Sequence, residues 1–526
     1  MKIFSLTTIS FVGKSICAIV RIGLHILLRN IICDTNYFPN IRKEIENIPE
    51  SNGQKYYVPY HVPIAIVADE FLYNSFKDIA DFKYVTPDNY KFVCDEVEML
   101  LIVTTWRGLH NEWRLMGTEK STTNRAVYEL IRYFKEKEKK IVFYSKEDPP
   151  HYQHFLPIAK QCDIIFTSAI EKIEEYKKDC SNDKVYLMKF GINPVYHNPI
   201  GSRLKKRKNE VIFSGSWVKK YPDRIREQEM IFDGVLSAGK KLKIIDRNFE
   251  RNVWGFLFPI KYYKYISPSI DHESLQKVHK LYDWAINMNS VRDSRSMFAN
   301  RIYELQATGN LIISNESVGV KEQFAEVIIA DCQEDVIAAL KTYDDEGVYE
   351  HQIAGIRRVM KNETTFDRVG ELLYNSGYRV SQPIRKVAVL AEKLTEEIRR
   401  DFDKQTYPYK ILLEMNADLE KELEECDMVA IWNANSEYGP FYLEDMINGF
   451  KYTNCGYITK DSFICDGELC TGVEHNYINF IRNVYTTVFW KDAVDYLKIL
   501  QLANVSGLVY VENGYSTDHL NYFQKS

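Results

Sequence analysis

The sequence lacks the features that mark several classes of protein. None of its ten cysteines lies in a C-x-x-C pair, and no cysteine and histidine cluster has zinc-binding spacing. The net charge is only -5, from 68 basic and 73 acidic residues, and nothing in this balance marks a nucleic-acid-binding protein. No small-residue cleavage site follows the apolar start, so we expect no secreted form and a reducing, cytoplasmic setting for the cysteines.

The composition is that of an ordinary folding chain. Hydrophobic residues make up 45% and charged residues 27% of 526 residues, a length that predicts about three domains. Aromatic residues make up 13%, and 36 of them are tyrosines. Tyrosine rings pack on sugar rings and their hydroxyls hydrogen-bond them, although ordinary cores and codon usage explain the same abundance.

The first 33 residues are apolar but interrupted by the basic residues Lys14, Arg21 and Arg29. Their spacing places them on one face of a helix, with His25 between the two arginines. The opposite face is apolar and carries Val12, Ile16, Val20, Gly23, Leu24, Leu27 and Ile31. This pattern predicts an amphipathic helix over residues 1–34 that lies in a membrane surface, its basic side toward anionic headgroups. A helix packed on the protein's own surface and a true membrane span are the alternatives.

Strands alternate with helices along most of the chain, which predicts an α/β fold with parallel sheets. We expect two Rossmann-like domains, over residues 60–200 and 208–378, joined by a proline-containing basic linker at 193–209. A smaller α/β domain follows at 386–526. The strands are expected at 64–69, 99–105, 141–145, 163–168, 185–191, 210–215, 241–246, 284–289, 310–314, 326–330, 386–392 and 427–432. Helices are expected at 121 onward, 223–237, 273–281, 296–308, 332–376 and 441–450.

The stretch 287–314 carries the chemistry that a nucleotide-sugar donor requires. Such a donor needs positive charge or free backbone amides for its diphosphate, and a carboxylate for its ribose hydroxyls. Arg301 and Glu304 are three residues apart and therefore share a helix face. Three further candidates precede the predicted helix start, where amides are free: Ser294, Arg295 and Ser296. A surface ion pair beside an ordinary helix cap would explain the same pattern.

Two further loops of the second predicted domain fit the same ligand. Ser214, Gly215 and Ser216 end a strand, and their small size would let the backbone approach a pyrophosphate closely. Asp246 and Arg247 end the next strand and would line the nucleotide pocket. A tight strand-to-helix turn is the alternative interpretation of the first loop. Two residues that follow it are weaker candidates, namely Tyr221 and Arg224.

A candidate base follows the strand at 141–145. An inverting sugar transfer needs a group that takes the proton of the acceptor, whereas a retaining one can use the donor phosphate. Glu147 and Asp148 are the first candidates, and His151 is the next. The same residues would also be explained by a capped loop.

The chain resembles the CgeB-like (spore maturation protein) group of bacterial family-1-type glycosyltransferases over residues 64–378. The likeness rests on ordered blocks: TTWRG (104–108), YSKEDPPHYQHFLPIAKQCDIIFTS (144–168), VIFSGSW (211–217), IIDRNF (244–249), FP (258–259) and SRSMFANRIYELQATGNLIISN (294–315). The last block matches at Arg301, Glu304 and Gly309. The resemblance implies a GT-B fold and a nucleotide-sugar donor, most commonly a UDP-sugar. It also implies that the N-terminal domain binds the acceptor and that no metal or other cofactor is required.

The last domain resembles a GT-A glycosyltransferase unit, through QTYP (405–408) and the stretch 437–460. Active relatives carry aspartates before the Tyr-Gly-Pro, and these hold a divalent metal. Here the equivalent positions include Asn433 and Asn435, and neutral amides are poor ligands for a hard cation. The resemblance therefore implies a degenerate, catalytically inactive unit that serves acceptor binding or docking.

The leading hypothesis is a glycosyltransferase that moves a sugar from a nucleotide-sugar donor to a cell-envelope or surface glycan, a polyol-phosphate or a protein. We expect it in the cytoplasm, peripheral on the inner face of the membrane through residues 1–33. Two alternatives stay open: a non-catalytic sugar-binding or scaffold protein of a glycan-assembly complex, and a sugar-nucleotide epimerase of the same fold.

Overall fold

The structure is a computed structural model that describes residues 20, 22–415, 419–494, 499, 501–502 and 507–525. It contains two successive units with parallel six-stranded sheets and a third α/β unit. The predicted α/β fold class, with two Rossmann-like units followed by a smaller α/β unit, is confirmed.

The first sheet has the strand order β2-β1-β3-β4-β5-β6, and every pairing in it is parallel. Its strands are β1 Tyr60–Val67, β2 Ala80–Tyr84, β3 Met99–Val103, β4 Lys140–Ser145, β5 Ile164–Thr167 and β6 Val185–Leu187. Its helices are Glu70–Phe76, Tyr90–Cys94, Thr122–Glu136, Tyr152–Ala159 and Ile173–Cys180. The sequence did not predict β2, because this edge strand is only partly buried and has no continuous apolar run.

The second sheet is also parallel, with the order β12-β11-β10-β7-β8-β9. Its strands are β7 Lys208–Gly215, β8 Leu242–Asp246, β9 Ile266–Ser267, β10 Tyr282–Asn287, β11 Leu311–Ser314 and β12 Ile328–Ile329. Its helices are Pro222–Ser237, His272–His279, Arg301–Ala307, Val318–Gln323, Gln333–Thr342 and Asp345–Asn362. The chain leaves β7 and β10 in opposite directions, so a crevice opens between the loops that follow them.

The predicted helix at 296–308 begins only at Arg301 and ends at Ala307. Before it, the Ser294 hydroxyl accepts a hydrogen bond from the amide of Met297 at 2.9 Å. The Asn289 side chain accepts from the amide of Ala299 at 3.1 Å. These side-chain bonds satisfy amides that a longer helix would use, so the segment before Arg301 stays non-helical.

The predicted helix at 332–376 is three helices, and the last of them, Thr365–Asn375, returns to the first unit. Its residues Phe366, Val369, Leu372 and Leu373 share one buried core with the first sheet. The end of the 208–378 segment therefore completes the core of the first unit rather than that of the second.

Residues 22–32 are helical and pack on the second unit through their basic side. The His25 ring lies 2.9 Å from the Tyr263 hydroxyl, and Arg29, which is 4% exposed, donates to Asn252 at 2.7 Å. The expected orientation of the basic side toward membrane headgroups is thus wrong for Arg29. Its guanidinium instead contacts the protein, because Asn252 accepts its hydrogen bond and the Phe249 ring lies beneath it. The exposed side is apolar and includes Val20, Leu24, Leu27 and Ile31. The other members of the predicted pattern lie outside the described residues, namely Val12, Lys14, Ile16 and Arg21. Within the described ranges, no helix is long and apolar enough to cross a bilayer.

The third unit has a mixed seven-stranded sheet of order β14-β13-β15-β21-β17-β22-β20 and a small four-stranded sheet of order β16-β23-β18-β19. Its strands are β13 Val387–Ala391, β14 Lys410–Glu414, β15 Met428–Trp432, β16 Ser436–Tyr438, β17 Tyr457–Thr459, β18 Phe463–Cys465, β19 Glu468–Cys470, β20 Asn476–Ile481, β21 Thr487–Trp490, β22 Val509–Ser516 and β23 Tyr522–Gln524. Its helices are Glu396–Asp403, Leu419–Glu424 and Tyr442–Gly449. Arg357 of the second unit binds both carboxylate oxygens of Asp445, at 2.6 and 2.7 Å, and so fixes the third unit in place.

Candidate functional site

The crevice between the loops after β7 and β10 holds a cavity of about 320 Å³. Lys220 and Tyr221 line it from the first loop, Arg224 lines it from the helix that follows, and Asn289 and Arg292 line it from the second loop. Ligands of open α/β sheets bind where the strand order reverses, so this is the expected place for one. The weaker sequence candidates Tyr221 and Arg224 both belong to this lining.

The loop Ser214–Ser216 is held from several directions. The Ser214 hydroxyl lies 3.0 Å from the Nε2 atom of buried His279, and the Ser216 hydroxyl accepts from Asn248 at 2.9 Å. At Gly215 a Cβ atom would lie 2.6 Å from the Phe213 ring, so a larger residue would have to displace that ring. The loop is therefore built around a glycine and can present its backbone closely to a ligand.

Arg301 and Glu304 do not form the surface ion pair that was the alternative interpretation. Glu304 is only 2% exposed, and its Oε1 atom accepts a hydrogen bond from Asn300 at 2.8 Å. Arg301 donates from Nη1 to the Ser214 carbonyl at 2.8 Å. Burial opposes ionisation of Glu304, but His272 and Arg301 hold the pKa of its carboxyl well below the usual range. The pair thus links the helix to the β7 loop and presents a buried carboxylate.

Arg247 brings a second positive charge to Arg301. Burial lowers the pKa of Arg301, the carboxylate of Glu304 raises it, and the positive charge of Arg247 lowers it again. Neither arginine forms a salt bridge to a carboxylate within the described part of the chain. The adjacent Asp246 is buried, and burial raises its pKa to about 7, which weakens it as a counter-charge. Two cations that form no salt bridge among the described residues are suited to an anionic ligand.

The structure separates the three candidates that precede the helix. Ser294 bonds within its own loop, as described above. The exposed side chain of Arg295 pairs with Glu322 at 3.0 Å. Ser296 joins the two units, because its hydroxyl donates to the Ser168 carbonyl at 2.8 Å and accepts from the amide of Ile170 at 2.7 Å.

In the first unit, Glu147 belongs to a three-residue ion-pair cluster. Lys146 Nζ lies 2.9 Å from Glu147 and 2.8 Å from Asp69, at the carboxyl ends of β4 and β1. Burial opposes the charge of Lys146, but the two carboxylates raise its pKa overall. Asp69 and Lys146 belong to no recognisable motif that assigns them a role, and their only signal in the sequence is the acidic residue that ends the run 64–69.

Asp148 and His151 face different surroundings. Asp148 is fully buried, where it accepts from Thr167 at 2.6 Å, and burial raises its pKa to about 6. His151 is only partly buried, and its ring lies edge-on to Trp106 with centroids 4.8 Å apart. Burial lowers the pKa of His151, the charge of Glu147 raises it, and the charges of His154 and Lys220 lower it. Lys220 belongs to the cavity lining of the second unit. Of these two residues, His151 is the less buried, and it lies within electrostatic reach of a residue that lines the cavity of the second unit.

Two histidines that the sequence analysis missed surround Glu304. The Nε2 atoms of His197 and His272 lie 4.0 and 3.9 Å from its Oε1 atom. Burial lowers the pKa of His197 to about 4, so its ring is neutral at neutral pH. These residues come from the 193–209 linker and from the helix after β9, and no local motif in the sequence signals their meeting.

The third unit places Asn433 and Asn435 after β15, beside a cavity of about 390 Å³. Arg482, Asn483 and Tyr485 also line it, and the described lining residues include no carboxylate.

No protein-family model matches the sequence, and no curated protein matches it. Several solved structures are similar at low identity. A glycosyltransferase from Rickettsia africae is 12% identical, with a TM-score of 0.39 over 60% of this chain and 90% of that chain. An α-glucosyltransferase in complex with UDP-glucose and DNA containing an abasic site is 10% identical, with a TM-score of 0.45 over 61% and 100% of the two chains. An α,α-trehalose 6-phosphate synthase from Burkholderia multivorans is 9% identical, with a TM-score of 0.36 over 55% and 75%. Likenesses this weak establish neither a family nor a function.

Proposed function

We propose that the protein is a glycosyltransferase that uses a nucleotide-sugar donor, and that the donor binds between the loops after β7 and β10. One observation carries the proposal: Arg301 is anchored on the Ser214 carbonyl at 2.8 Å, makes no salt bridge among the described residues, and lies within electrostatic reach of Arg247 and of the buried carboxylate of Glu304. A nucleoside diphosphate sugar presents the complementary groups, a diphosphate and a ribose diol, in that order.

Each group of the site has a distinct role in this proposal. Arg247 and Arg301 neutralise the diphosphate, and their charge stabilises it as it leaves. The 214–216 backbone approaches the same phosphates, and Glu304 accepts hydrogen bonds from the ribose hydroxyls. The resemblance of the ordered sequence blocks favours UDP as the nucleotide and a transfer that requires no metal. Ser294, Arg295 and Ser296 stay weaker members of this site, since their side chains contact protein or solvent.

The acceptor, a surface glycan, a polyol-phosphate or a protein, would approach from the first unit. His151 is the first candidate for the base, because it is less enclosed than Asp148 and lies within electrostatic reach of Lys220 of the donor domain. Glu147 would act only after Lys146 releases it, and buried Asp148 would need a rearrangement to reach an acceptor. The exposed apolar side of the 22–32 helix would hold the protein at a membrane where such acceptors are assembled.

A non-catalytic sugar-binding or scaffold role is the second candidate. Two observations favour this role: Glu147 is paired with Lys146, and Asp148 is fully buried. Of the three candidate bases, only His151 is then accessible to an acceptor. Transfer or hydrolysis of a bound donor distinguishes the two functions.

Thermal unfolding with a panel of UDP-, GDP- and CDP-sugars tests donor binding. A ligand at about 100 times its Kd stabilises the folded state by about 2.7 kcal/mol, so a binding nucleotide raises the melting temperature of the wild type. Glu304→Ala should lose this protection, whereas Glu136→Ala, an exposed glutamate on the helix Thr122–Glu136, should keep it. Absence of protection by every donor contradicts the function, and full protection of Glu304→Ala contradicts the site.

A further inference from the structure

Glu304, His197 and His272 form a compact group of three side chains from three different elements. One ligand-type atom of each lies within 4.8 Å of the others. His197 and Glu304 are buried, whereas the His272 side chain is about half exposed, so the group is open to solvent on one side. The rings of the two histidines meet edge to face, with centroids 6.0 Å apart.

The imidazole of His197 lacks the partners that a buried ring normally has. It is 4% exposed, and neither Nδ1 nor Nε2 makes a hydrogen bond in the part of the chain that the structure describes. Buried polar atoms are almost always paired, so two orphaned nitrogens on one ring point to a ligand that pairs with at least one of them. The backbone amide of His197 bonds to the Asn193 carbonyl at 2.9 Å, so the loop itself is held in place.

We propose that His197, His272 and Glu304 bind a transition-metal ion of the zinc type. Two imidazoles and one carboxylate are the ligand set of a three-residue zinc site with a fourth, open position. Nitrogen ligands favour zinc and its neighbours, and disfavour magnesium and calcium, which prefer oxygen.

The distances require only a small closure. Ligands bound at about 2.0–2.2 Å to a tetrahedral ion lie about 3.4 Å from each other. The His197 and His272 nitrogens lie 4.0 and 3.9 Å from the Glu304 oxygen, and all three ligand atoms lie within 4.8 Å of one another. Side-chain rotations that shorten these distances by about 0.5–1.4 Å are therefore sufficient. The His272 Nε2 atom lies 3.3 Å from the Gln276 amide nitrogen, and this contact would be exchanged for the ion.

Metal binding has a consequence that rests on the proposed function. A zinc ion on Glu304 would occupy the carboxylate that is proposed to accept from the ribose. The metal and the nucleoside would then compete, and the metal would act as an inhibitor of donor binding rather than as a cofactor of the transfer.

Titration of the full-length protein with zinc chloride, after EDTA treatment and desalting, tests the site by calorimetry. The wild type should bind one more tight equivalent of zinc than His272→Ala, whose half-exposed position makes it tolerant of truncation. Loss of a residue that merely supports a metal ligand costs about 10–100-fold in affinity, so loss of a ligand should cost more. His197→Gln should lose the same equivalent, and His110→Ala, an exposed histidine, should behave as the wild type. Cobalt should give the absorption of a tetrahedral ion in the wild type and not in His272→Ala.

Equal zinc stoichiometry in the wild type and His272→Ala overturns the proposal, even if His197→Gln fails to fold. Uridine, which has the ribose but no phosphates to chelate zinc, tests the competition. Zinc should weaken uridine binding to the wild type and, to the same extent, to His110→Ala. Uridine binding that zinc leaves unchanged overturns the competition. If uridine and UDP fail to bind the metal-free protein, the donor site is refuted and the zinc stoichiometry still decides the metal site.

Discussion

Replacement of Arg301 with alanine should weaken the binding of UDP while sparing that of uridine. The Arg301 guanidinium is anchored on the Ser214 carbonyl at 2.8 Å and lies near Arg247, so its charge is held where the diphosphate is proposed to bind. A hydrogen bond to a charged group contributes about 1.5–3 kcal/mol, which corresponds to about a 10- to 150-fold increase in the Kd for UDP. Uridine carries no phosphate, so its affinity should change far less.

Calorimetric titration of UDP and of uridine into the wild type and Arg301→Ala measures both quantities. Arg132→Ala is the matched control, because that arginine pairs with Glu136 on an exposed helix of the first unit. The melting temperature of each variant must accompany the titration, since loss of the bond to Ser214 also removes a link between two elements. An unchanged Kd for UDP, or an equal loss for UDP and uridine, would refute the assignment of Arg301 to the diphosphate.

Three further predictions concern stability and membrane binding. Arg357→Met leaves the Asp445 carboxylate buried without its bidentate partner and should lower the free energy of unfolding by about 3–5 kcal/mol in urea denaturation; a loss below about 1 kcal/mol contradicts this. His475 is fully buried, and burial lowers its pKa from 6.5 to about 4, so the unfolded chain binds the extra proton and stability should fall as the pH drops from about 6.5 to 4. The slope is at most about 1.4 kcal/mol per pH unit for this group, and His475→Gln should reduce it in pH-dependent urea denaturation; an identical pH profile for the variant opposes the assignment. Leu27→Ser/Ile31→Ser removes apolar surface from the exposed side of the 22–32 helix and should reduce flotation with anionic liposomes, while equal flotation removes the membrane contact.

The sequence predicts the fold of the first two units well because their central strands are buried on both faces. Strands such as β3 and β11 are near-continuous apolar runs, and such runs can be recognised directly in the sequence. The edge strands β2 and β9 are missed, since one is half-exposed and the other has only two residues. The packing of the helix Thr365–Asn375 against the first sheet could not be predicted, because its amphipathic pattern would fit the core of either unit.

The candidate site is predictable only where a local pattern exists. The spacing of Arg301 and Glu304 follows from helix geometry, and their position after β10 follows from the alternation of strands and helices. The late helix start at Arg301 could not be foreseen, because the bond from Met297 to Ser294 competes with helix formation in a way that a periodic pattern does not show. The approach of His197 to Glu304 depends on the path of the linker, and no spacing in the sequence encodes it.

The position of UDP in a crystal structure of its complex with the full-length protein tests the central claim most directly. The account predicts the diphosphate between Arg247 and Arg301 and the ribose hydroxyls on Glu304, between the loops after β7 and β10. Nucleotide bound elsewhere, such as in the cavity beside Asn433 of the third unit, would contradict the account.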